Sequence, residues 1–313
     1  MKRGVLVLTG LLLFSLFSLG LALVLGSGHP IDPALLHQIV LDLRLPRALS
    51  AFAVGGLLAL AGALMQVLLR NPLGDPYVLG VSGGAASAAL LGMLAGLQGA
   101  LLSLGAFGGA LLAMLLVFVL ARGGGAWSAT RLLLTGVVLA AGWGALISFL
   151  LAIGPAARLP GMLFWLMGDL GDADTPLIPL LTLLAGGTAA FLLARPLNLL
   201  LQGPDQAALL GVETERLHWT LFLLASLLTA VAVTTGGAIG FIGLVAPHLY
   251  RLLDGSDHRR LIPGAILLGG GLLVLTDTLA RTLIAPRQLP VGVVTALVGV
   301  PLFLYLLRRQ APA

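Results

Sequence analysis

The chain has 313 residues, of which 59% are hydrophobic and 9% charged, and its mean hydropathy is +1.09. This apolar content exceeds what a soluble core of that size could bury, so lipid must solvate much of the chain, and a separate soluble domain is excluded. The absence of cysteine excludes disulfides and thiolate sites, and the 17 basic residues are scattered between apolar runs without a stripe or cluster, which argues against nucleic-acid binding.

Successive apolar runs predict an all-α polytopic membrane protein with about ten transmembrane helices in a single domain, residues 1–313. The first run, 4–25, follows Lys2 and Arg3 and is longer than the hydrophobic region of an ordinary signal peptide. Residues 34–43 predict a short amphipathic helix outside the membrane. The other predicted spans are 47–69, 81–97, 100–121, 132–152, 176–194, 219–235, a short 237–249, 261–283 and 291–307.

The basic residues predict how these spans are oriented. With the N-terminus inside, twelve of the 17 lie on the cytoplasmic side and five lie outside, which favours a multi-pass protein of the cytoplasmic (inner) membrane with both termini in the cytoplasm. The twelve are Lys2, Arg3, Arg70, Arg122, Arg131, Arg195, Arg216, Arg251, Arg259, Arg260, Arg308 and Arg309. The five are Arg44, Arg47, Arg158, Arg281 and Arg287.

Glycine is abundant, with 43 residues, and it often occurs in pairs inside the predicted spans. Small residues let helix backbones approach closely in a membrane bundle, so these pairs predict close helix packing. The pairs and the one triplet are Gly55-Gly56, Gly83-Gly84, Gly108-Gly109 and Gly269-Gly270-Gly271.

The segment 236–249 departs from the pattern of a plain span, because it is short, glycine-rich and contains Pro247. Broken spans of this kind line cavities in transporters, and a kinked packing helix is the equal alternative. His248 in this segment is a candidate proton-relay group, although a structural or interfacial histidine is the more common case.

Two loops have a defined local pattern. Residues 70–76 contain two prolines and a glycine, which predict a compact turn. In the loop 203–216, a short helix with an acidic first turn is followed by Gly211, and Thr214 begins a second helix. This order predicts a protein-docking knob on the cytoplasmic side, and a solvated connector is the alternative.

The sequence contains no energy source of its own. Lys2 is the only lysine, and no GxxxxGK[ST] loop, HExxH motif or GxSxG elbow is present. Asp277 is the only acidic residue well inside a predicted span, and Arg281 four residues later makes a structural ion pair the expected role. These patterns predict a transport subunit without catalytic residues or a metal site, and they support neither an enzyme nor a proton-coupled carrier.

Five segments then show a family resemblance: 44–47 (RLPR), 62–86 (GALMQVLLRNPLGDPYVLGVSGGAA), 164–171 (FWLMGDLG), 237–264 and 289–307. They resemble the iron-siderophore, haem and cobalamin permeases of ABC importers, in the same order and from about residue 40 to the C-terminus. The segment 237–264 is especially similar to the cobalamin permeases.

The resemblance implies the type II ABC importer permease fold with ten helices per subunit. It also implies a homodimer with one pathway on the two-fold axis, two ABC ATPase subunits that hold ATP and Mg, and an extracytoplasmic substrate-binding protein. The chain itself is expected to bind no cofactor. ATP binding would close the ATPase subunits and thereby expose the pathway alternately to each side.

Matched position by position, the resemblance implies a cytoplasmic gate formed by Asn71 and Leu73 in one part and Thr130 in the other. Ala129 departs from the pattern, because the cobalamin permeases have a hydroxyl there. The residues implied in ATPase coupling are Gly203, Asp205, Leu210, Gly211, Val212 and Glu213. The arginines implied in docking of the binding protein are Arg44, Arg47 and Arg281.

The cargo stays open at this point. Cobalamin or an iron siderophore is the first expectation, and haem or an oxyanion is the alternative within the same fold. A stand-alone secondary carrier is the alternative from a different class.

Overall fold

The computed structural model describes residues 2–26, 33–122, 127–173 and 175–310, and all regular structure in these ranges is helical, which confirms the all-α class. The helices are α1 (Lys2–Val24), α2 (Pro33–Gln38), α3 (Leu45–Leu68), α4 (Val81–Leu94), α5 (Gly99–Arg122), α6 (Ala129–Ile153), α7 (Leu159–Met167), α8 (Leu177–Leu192), α9 (Ala194–Leu200), α10 (Pro204–Leu209), α11 (Thr214–Gly236), α12 (Ile242–Asp254), α13 (His258–Thr282) and α14 (Val291–Gln310). A π-helical turn, Ile39–Arg44, precedes α3, and a 3-10 turn, Pro76–Leu79, precedes α4.

Six helical stretches in the described ranges are long and apolar enough to cross a membrane, and the pair α8 and α9, bent by 57°, forms a possible seventh. The other three predicted spans correspond to α4, α12 and α14. α4 and α12 have only 14 and 13 residues, which as helices reach about 20 Å and fall short of the roughly 30 Å hydrocarbon core. The polytopic fold is confirmed, and the count of about ten includes these short elements.

The prediction of a separate surface helix at 34–43 is corrected by the structure. The structure continues it through the π-helical turn into α3, so that Leu35–Leu68 forms one helical stretch of 34 residues. The cause is Pro46, whose ring cannot fit against the carbonyl four residues earlier in a regular α-helix. The wider π turn accommodates it, with the Leu45 amide donating to the Val40 carbonyl five residues back.

α3 is the central helix of the bundle. Every residue from 53 to 69 is buried, and α3 packs against α8, α11, α12 and α13. By contrast, only 11% of the most apolar window of α6 is buried, against 89% for the α3 stretch. Both sequences are similarly apolar, so most apolar side chains of α6 are left uncovered by the rest of this chain, whereas α3 packs its own against neighbouring helices.

Glycines mark close helix crossings, which confirms the predicted packing role for every pair and for the triplet, with Gly108 as the one member that makes no close contact. A Cβ atom at Gly55 on α3 would collide with the Gly269 carbonyl on α13. A Cβ at Gly84 on α4 would lie 2.5 Å from the Gly109 carbonyl oxygen on α5. Gly108, the other member of that pair, has open space around it.

The segment 237–249 is a broken span inside the bundle. α11 ends at Gly236, residues 237–241 are irregular, and α12 then packs against α3 and α13. Irregular backbone at membrane depth needs internal hydrogen-bond partners. Here the Ile239 amide donates to the Tyr77 Oη at 3.0 Å. A side chain of the 3-10 turn before α4 therefore provides a hydrogen-bond partner for the irregular backbone before α12.

Candidate transport pathway and docking surfaces

The loops group at two ends of the bundle. The end that contains the start of α1 and the loops 70–76 and 203–216 is called the basic face below, and the other end the opposite face. Arg3 Nη2 donates to the Leu253 carbonyl at 2.9 Å, which places the start of α1 beside the end of α12 on the basic face. Which face is cytoplasmic stays a prediction.

The predicted gate loop is a turn held by its own hydrogen bonds. The Asn71 Oδ1 accepts the Leu73 amide at 2.9 Å, and the Asn71 carbonyl accepts the Gly74 amide at 2.9 Å. The Asn71 amide in turn donates to the Gln66 carbonyl at the end of α3, at 3.1 Å. With the backbone fixed in this way, the Leu73 side chain remains 41% exposed as an apolar group at the basic face.

The gate loop leads directly into the interior of the bundle. The Asp75 carboxylate accepts the Tyr77 amide at 2.8 Å and caps the 3-10 turn, and burial raises the pKa of Asp75 against the opposing effect of this hydrogen bond. Tyr77 then contacts Ile239 in the broken segment. The gate loop, the 3-10 turn and the segment 237–241 are therefore one connected unit.

Thr130 lies in the first turn of α6. The Ser128 Oγ accepts the Arg131 amide at 3.2 Å and caps this helix, while Thr130 itself is exposed at the basic face. Two turns further on, a Cβ at Gly136 would lie 3.2 Å from Leu79 Cα, so α6 crosses directly over the 3-10 turn. The two predicted gate parts are thus linked through α6, and their gate role stays a prediction.

The loop 203–216 has the predicted order of helix, glycine turn and helix. α10 begins after Gly203, whose φ is 123°, and it ends in a Schellman motif around Gly211, whose φ is 84°. In this motif the Gly211 and Val212 amides donate to carbonyls of α10, both at 3.0 Å. α11 begins at Thr214. The predicted local structure is confirmed.

The tip of this loop presents apolar and charged groups together. Leu209 and Leu210 are 87% and 62% exposed, and Asp205 is exposed in the first turn of α10. Glu213 and Arg216 form an exposed ion pair at 3.6 Å. Exposed leucines on a short, well-capped helix are suited to docking a protein, and the ATPase-coupling role of the loop stays a prediction.

An aromatic cluster that the sequence reasoning did not find lies behind this loop. The ring of Trp127, just before α6, stacks on His218 of α11 with centroids 4.9 Å apart, and it meets Trp219 edge-on at 4.8 Å. Phe118 of α5 contacts Trp219 at 4.7 Å. The cluster joins the start of α6, which carries Thr130, to the start of α11, which follows the 203–216 loop.

Asp277 is the centre of a charge network at the opposite face. The predicted pair with Arg281 is confirmed, with the Arg281 Nε 3.1 Å from the Asp277 Oδ2. Arg47 of α3 also binds Asp277, with Nη2 at 2.8 Å and Nε at 3.1 Å. Arg47 further donates to Gln288 at 3.0 Å and lies 4.0 Å from Asp169. The sequence reasoning missed Gln288 and Asp169, for which it held no local signal.

The three arginines predicted to dock a binding protein are largely engaged inside this chain. Arg44 and Arg281 are each 6% exposed. The Arg44 Nη1 donates to the Leu23 and Val24 carbonyls at 2.8 and 2.9 Å, and so caps the C-terminus of α1. Arg47 has 12% of its side chain exposed. The three do converge on one face, and the docking role stays a prediction.

His248, the predicted candidate for a proton relay, is a buried residue of α12. His248 is 4% exposed on α12, and its ring meets Phe303 of α14 edge-on at 5.9 Å, which is a packing contact between two helices. Within the described ranges, no three His, Asp or Glu side chains lie close enough to hold a metal ion. The expected lack of a metal site stays a prediction.

A family model described as the FecCD transport family matches residues 5–309. The chain belongs to this family. It is 44% identical over 281 residues, 87% of this chain and 84% of the relative, to the hemin transport system permease protein of Yersinia pestis. It is 40% identical over 300 residues, 92% of this chain and 79% of the relative, to the cobalamin import system permease protein of Halobacterium salinarum.

A solved structure confirms the type II permease fold of this FecCD family member. It is a transporter described as of the metal-chelate ABC type in an inward-facing conformation, with a TM-score of 0.88 at 32% identity, and the match covers 98% of this chain and 100% of the solved chain. The chain is therefore a multi-pass membrane permease of the metal-chelate importer family.

Proposed function

We propose that the chain is the transmembrane permease subunit of an ATP-driven ABC importer that moves a metal-chelate cargo across the inner membrane by alternating access. The observation that carries the proposal is the family match over residues 5–309. Relatives at 44% and 40% identity are named as permeases for hemin and for cobalamin. The lack of a phosphate-binding loop in the sequence assigns ATP hydrolysis to separate partner subunits.

The contacts at the basic face support a route for coupling. An ATPase subunit docked on the 203–216 loop would move the start of α11. The stack of Trp127 on His218 would pass that motion to the start of α6. α6 crosses the 3-10 turn that follows Asn71 and Leu73, so both gate parts would respond to closure of the ATPase pair.

The same proposal fixes the partners and the orientation. Two copies of the chain form one pathway on a two-fold axis, with the basic face and both termini in the cytoplasm, as the positive-inside distribution of twelve against five basic residues favours. Two ATPase subunits bind at that face. A substrate-binding protein docks at the opposite face, near Arg44, Arg47 and Arg281.

The test is uptake by the purified permease and its partner ATPase in liposomes, with the binding protein present. Labelled cobalamin, ferric siderophore, haem and an oxyanion are compared, and we expect ATP-dependent accumulation of one metal chelate. A partner ATPase that lacks its phosphate-binding lysine is the matched control and should give no accumulation. We also expect no ATP turnover by the pure permease.

A stand-alone secondary carrier would give a different result. Uptake driven by an ion gradient, without any ATPase subunit, would contradict the proposal. The described spans hold few buried charges outside the Asp277 network, which favours the ATP-driven class.

A further inference from the structure

A cavity of about 280 Å³ opens at the basic face between the end of α3, the gate loop, α9 and α12. Its polar lining comes from Gln66, Arg70, Asn71 and Arg251, and its remaining walls are apolar. The apolar lining residues are Val67, Pro72, Leu200 and Leu201. No carboxylate is among the described lining residues, although two guanidinium groups are.

Among the described residues, the hydrogen-bond partner of the Arg251 side chain is neutral. Its Nη1 donates to the Oε1 of Gln66, a side chain that is 4% exposed. The Gln66 Nε2 donates to the Leu244 carbonyl at 3.4 Å, which directs the amide oxygen toward Arg251. A half-buried cation needs an opposite charge or several hydrogen bonds to offset the free-energy cost of its desolvation. One hydrogen bond to an amide oxygen offsets only a small part of this cost.

The nearby carboxylates are committed elsewhere. Asp254, one turn after Arg251, pairs with Arg260 at 3.0 Å, and Asp257 accepts from the Asn198 amide at 2.7 Å. Among the described residues no ion pair within 4.0 Å includes Arg251 or Arg70. The cavity therefore has two positive charges that no carboxylate in the described part of the chain pairs with.

Arg70 is held in an unusual backbone conformation. Its φ is 50°, in the left-handed region that residues other than glycine rarely adopt. Its Nη2 lies near Gly203, where a Cβ atom would be 3.7 Å away. Backbone outliers of this kind concentrate at ligand sites, and Arg70 lines the cavity.

We propose that this cavity binds a phosphate group between Arg70 and Arg251. Guanidinium groups bind phosphate by charge-assisted and often bidentate hydrogen bonds. The Asn71 Oδ1 accepts the Leu73 amide, and the Nδ2 of the same side chain is a third polar donor in the cavity lining.

Free phosphate and the headgroup of an anionic phospholipid both supply this chemistry. Basic pockets between transmembrane helices at the cytoplasmic side bind such headgroups, and the apolar walls of the cavity suit the attached glycerol and acyl groups.

The experiment measures the thermal midpoint of the delipidated full chain in detergent. One arm titrates inorganic phosphate against chloride at equal ionic strength, and the other adds phosphatidylglycerol against phosphatidylcholine. We expect at least one arm to raise the midpoint. A shift with phosphate identifies a free anion, and a shift with phosphatidylglycerol alone identifies a headgroup.

Arg70→Gln and Arg251→Gln should each lower the affinity for the ligand that shifts the midpoint, phosphate or phosphatidylglycerol, at least tenfold. Arg195→Gln is the matched control, because Arg195 is an exposed arginine of α9 outside the cavity lining, and it should leave the affinity unchanged. Arg70 is exposed, so its substitution reports on binding even if Arg251→Gln impairs folding.

Two results would overturn the proposal. The first is the absence of a shift in both arms, and the second is an equal loss of affinity in Arg195→Gln and Arg70→Gln. The test uses the permease alone, so its failure leaves the proposed transport function standing.

Discussion

Asp277 neutralises two arginines from different helices, Arg47 and Arg281. Asp277→Asn removes the carboxylate charge and leaves both guanidinium groups largely buried beside a neutral amide. Breaking a buried ion pair on one side costs about 3–5 kcal/mol, so we expect a clear fall in the thermal midpoint of the purified protein in detergent. Asp172→Asn, at an exposed aspartate near the same face, is the control, and an equal fall there would contradict the prediction.

Two adjacent glycines on α5 give a sharper comparison. Gly109→Ala places a methyl group against the Gly84 backbone and should lower the stability by about 1–3 kcal/mol. Gly108→Ala enters open space and should be neutral, or stabilising by up to about 1 kcal/mol, because alanine favours the helix. Thermal unfolding of both variants decides the matter, and equal effects would mean that α4 and α5 do not meet as described.

These residues show what the sequence could predict at the residue scale. The pair of Asp277 and Arg281 was predictable because the two lie one helical turn apart. Arg47 is 230 residues from Asp277, and no local pattern indicates that contact. The glycine pairs predicted close packing, but the sequence could not tell that Gly109 faces α4 while Gly108 has open space around it.

At the scale of the elements, the 203–216 loop offers a direct test of coupling. Leu210→Glu places a charge on the exposed tip of the loop without disturbing the Schellman motif. We expect normal membrane insertion together with loss of assembly with the ATPase, because the apolar contact is replaced by a solvated carboxylate. Co-purification of the ATPase subunit measures this.

Leu283→Glu is the control for that experiment. Leu283 is as exposed as Leu210, 62% in each case, and lies at the opposite face after α13. It should leave ATPase assembly intact. Assembly that tolerates Leu210→Glu would reduce the loop to a connector.

The loop and the start of α3 show why elements differ in predictability. The order of α10, Gly211 and α11 follows from local turn chemistry, so the sequence predicted it correctly. The segment 34–43 was predicted as a separate surface helix because Asp32 and Pro33 have the sequence pattern of a helix start. The π-helical turn that joins it to α3 depends on an unusual hydrogen bond between Leu45 and Val40, for which sequence patterns give no sign.

At the scale of the whole molecule, the proposed axial gate would form between two copies of the chain. Leu73→Cys introduces a single cysteine, since the chain has none of its own. We expect the two copies to form a disulfide across the axis in at least one nucleotide state, because Leu73 is the exposed apolar tip of the gate loop. Non-reducing gel electrophoresis of the assembled transporter measures this.

Leu104→Cys provides the comparison, because Leu104 is exposed on α5 at 66% and is not part of the gate loop. It should form no disulfide crosslink under the same oxidation. A chain that crosslinks at Leu104 and never at Leu73 would place the two-fold axis elsewhere.

The overall arrangement was predictable mainly through the family resemblance. Composition alone established a polytopic helical protein, and the match of ordered motifs supplied the fold that the solved structure confirms. The number of spans was less certain, because α4 and α12 are too short to cross a membrane as plain helices. α4 begins only after the 3-10 turn, and α12 begins only after the irregular segment 237–241. The hydrogen bond from the Ile239 amide to Tyr77 joins these two segments, and it forms only in the folded bundle.

The burial of α3 has a consequence for how the chain is assembled. Ribosomes deliver the N-terminal part first, so α3 enters the bilayer before α8, α11, α12 and α13 exist. Its small and aliphatic side chains are therefore in contact with lipid acyl chains while about 200 further residues are synthesised. Only later do the neighbouring helices displace those chains, as separately inserted helices associate. A helix that ends up entirely inside the protein must first be soluble in lipid, which explains why α3 is as apolar as the helices that stay at the periphery.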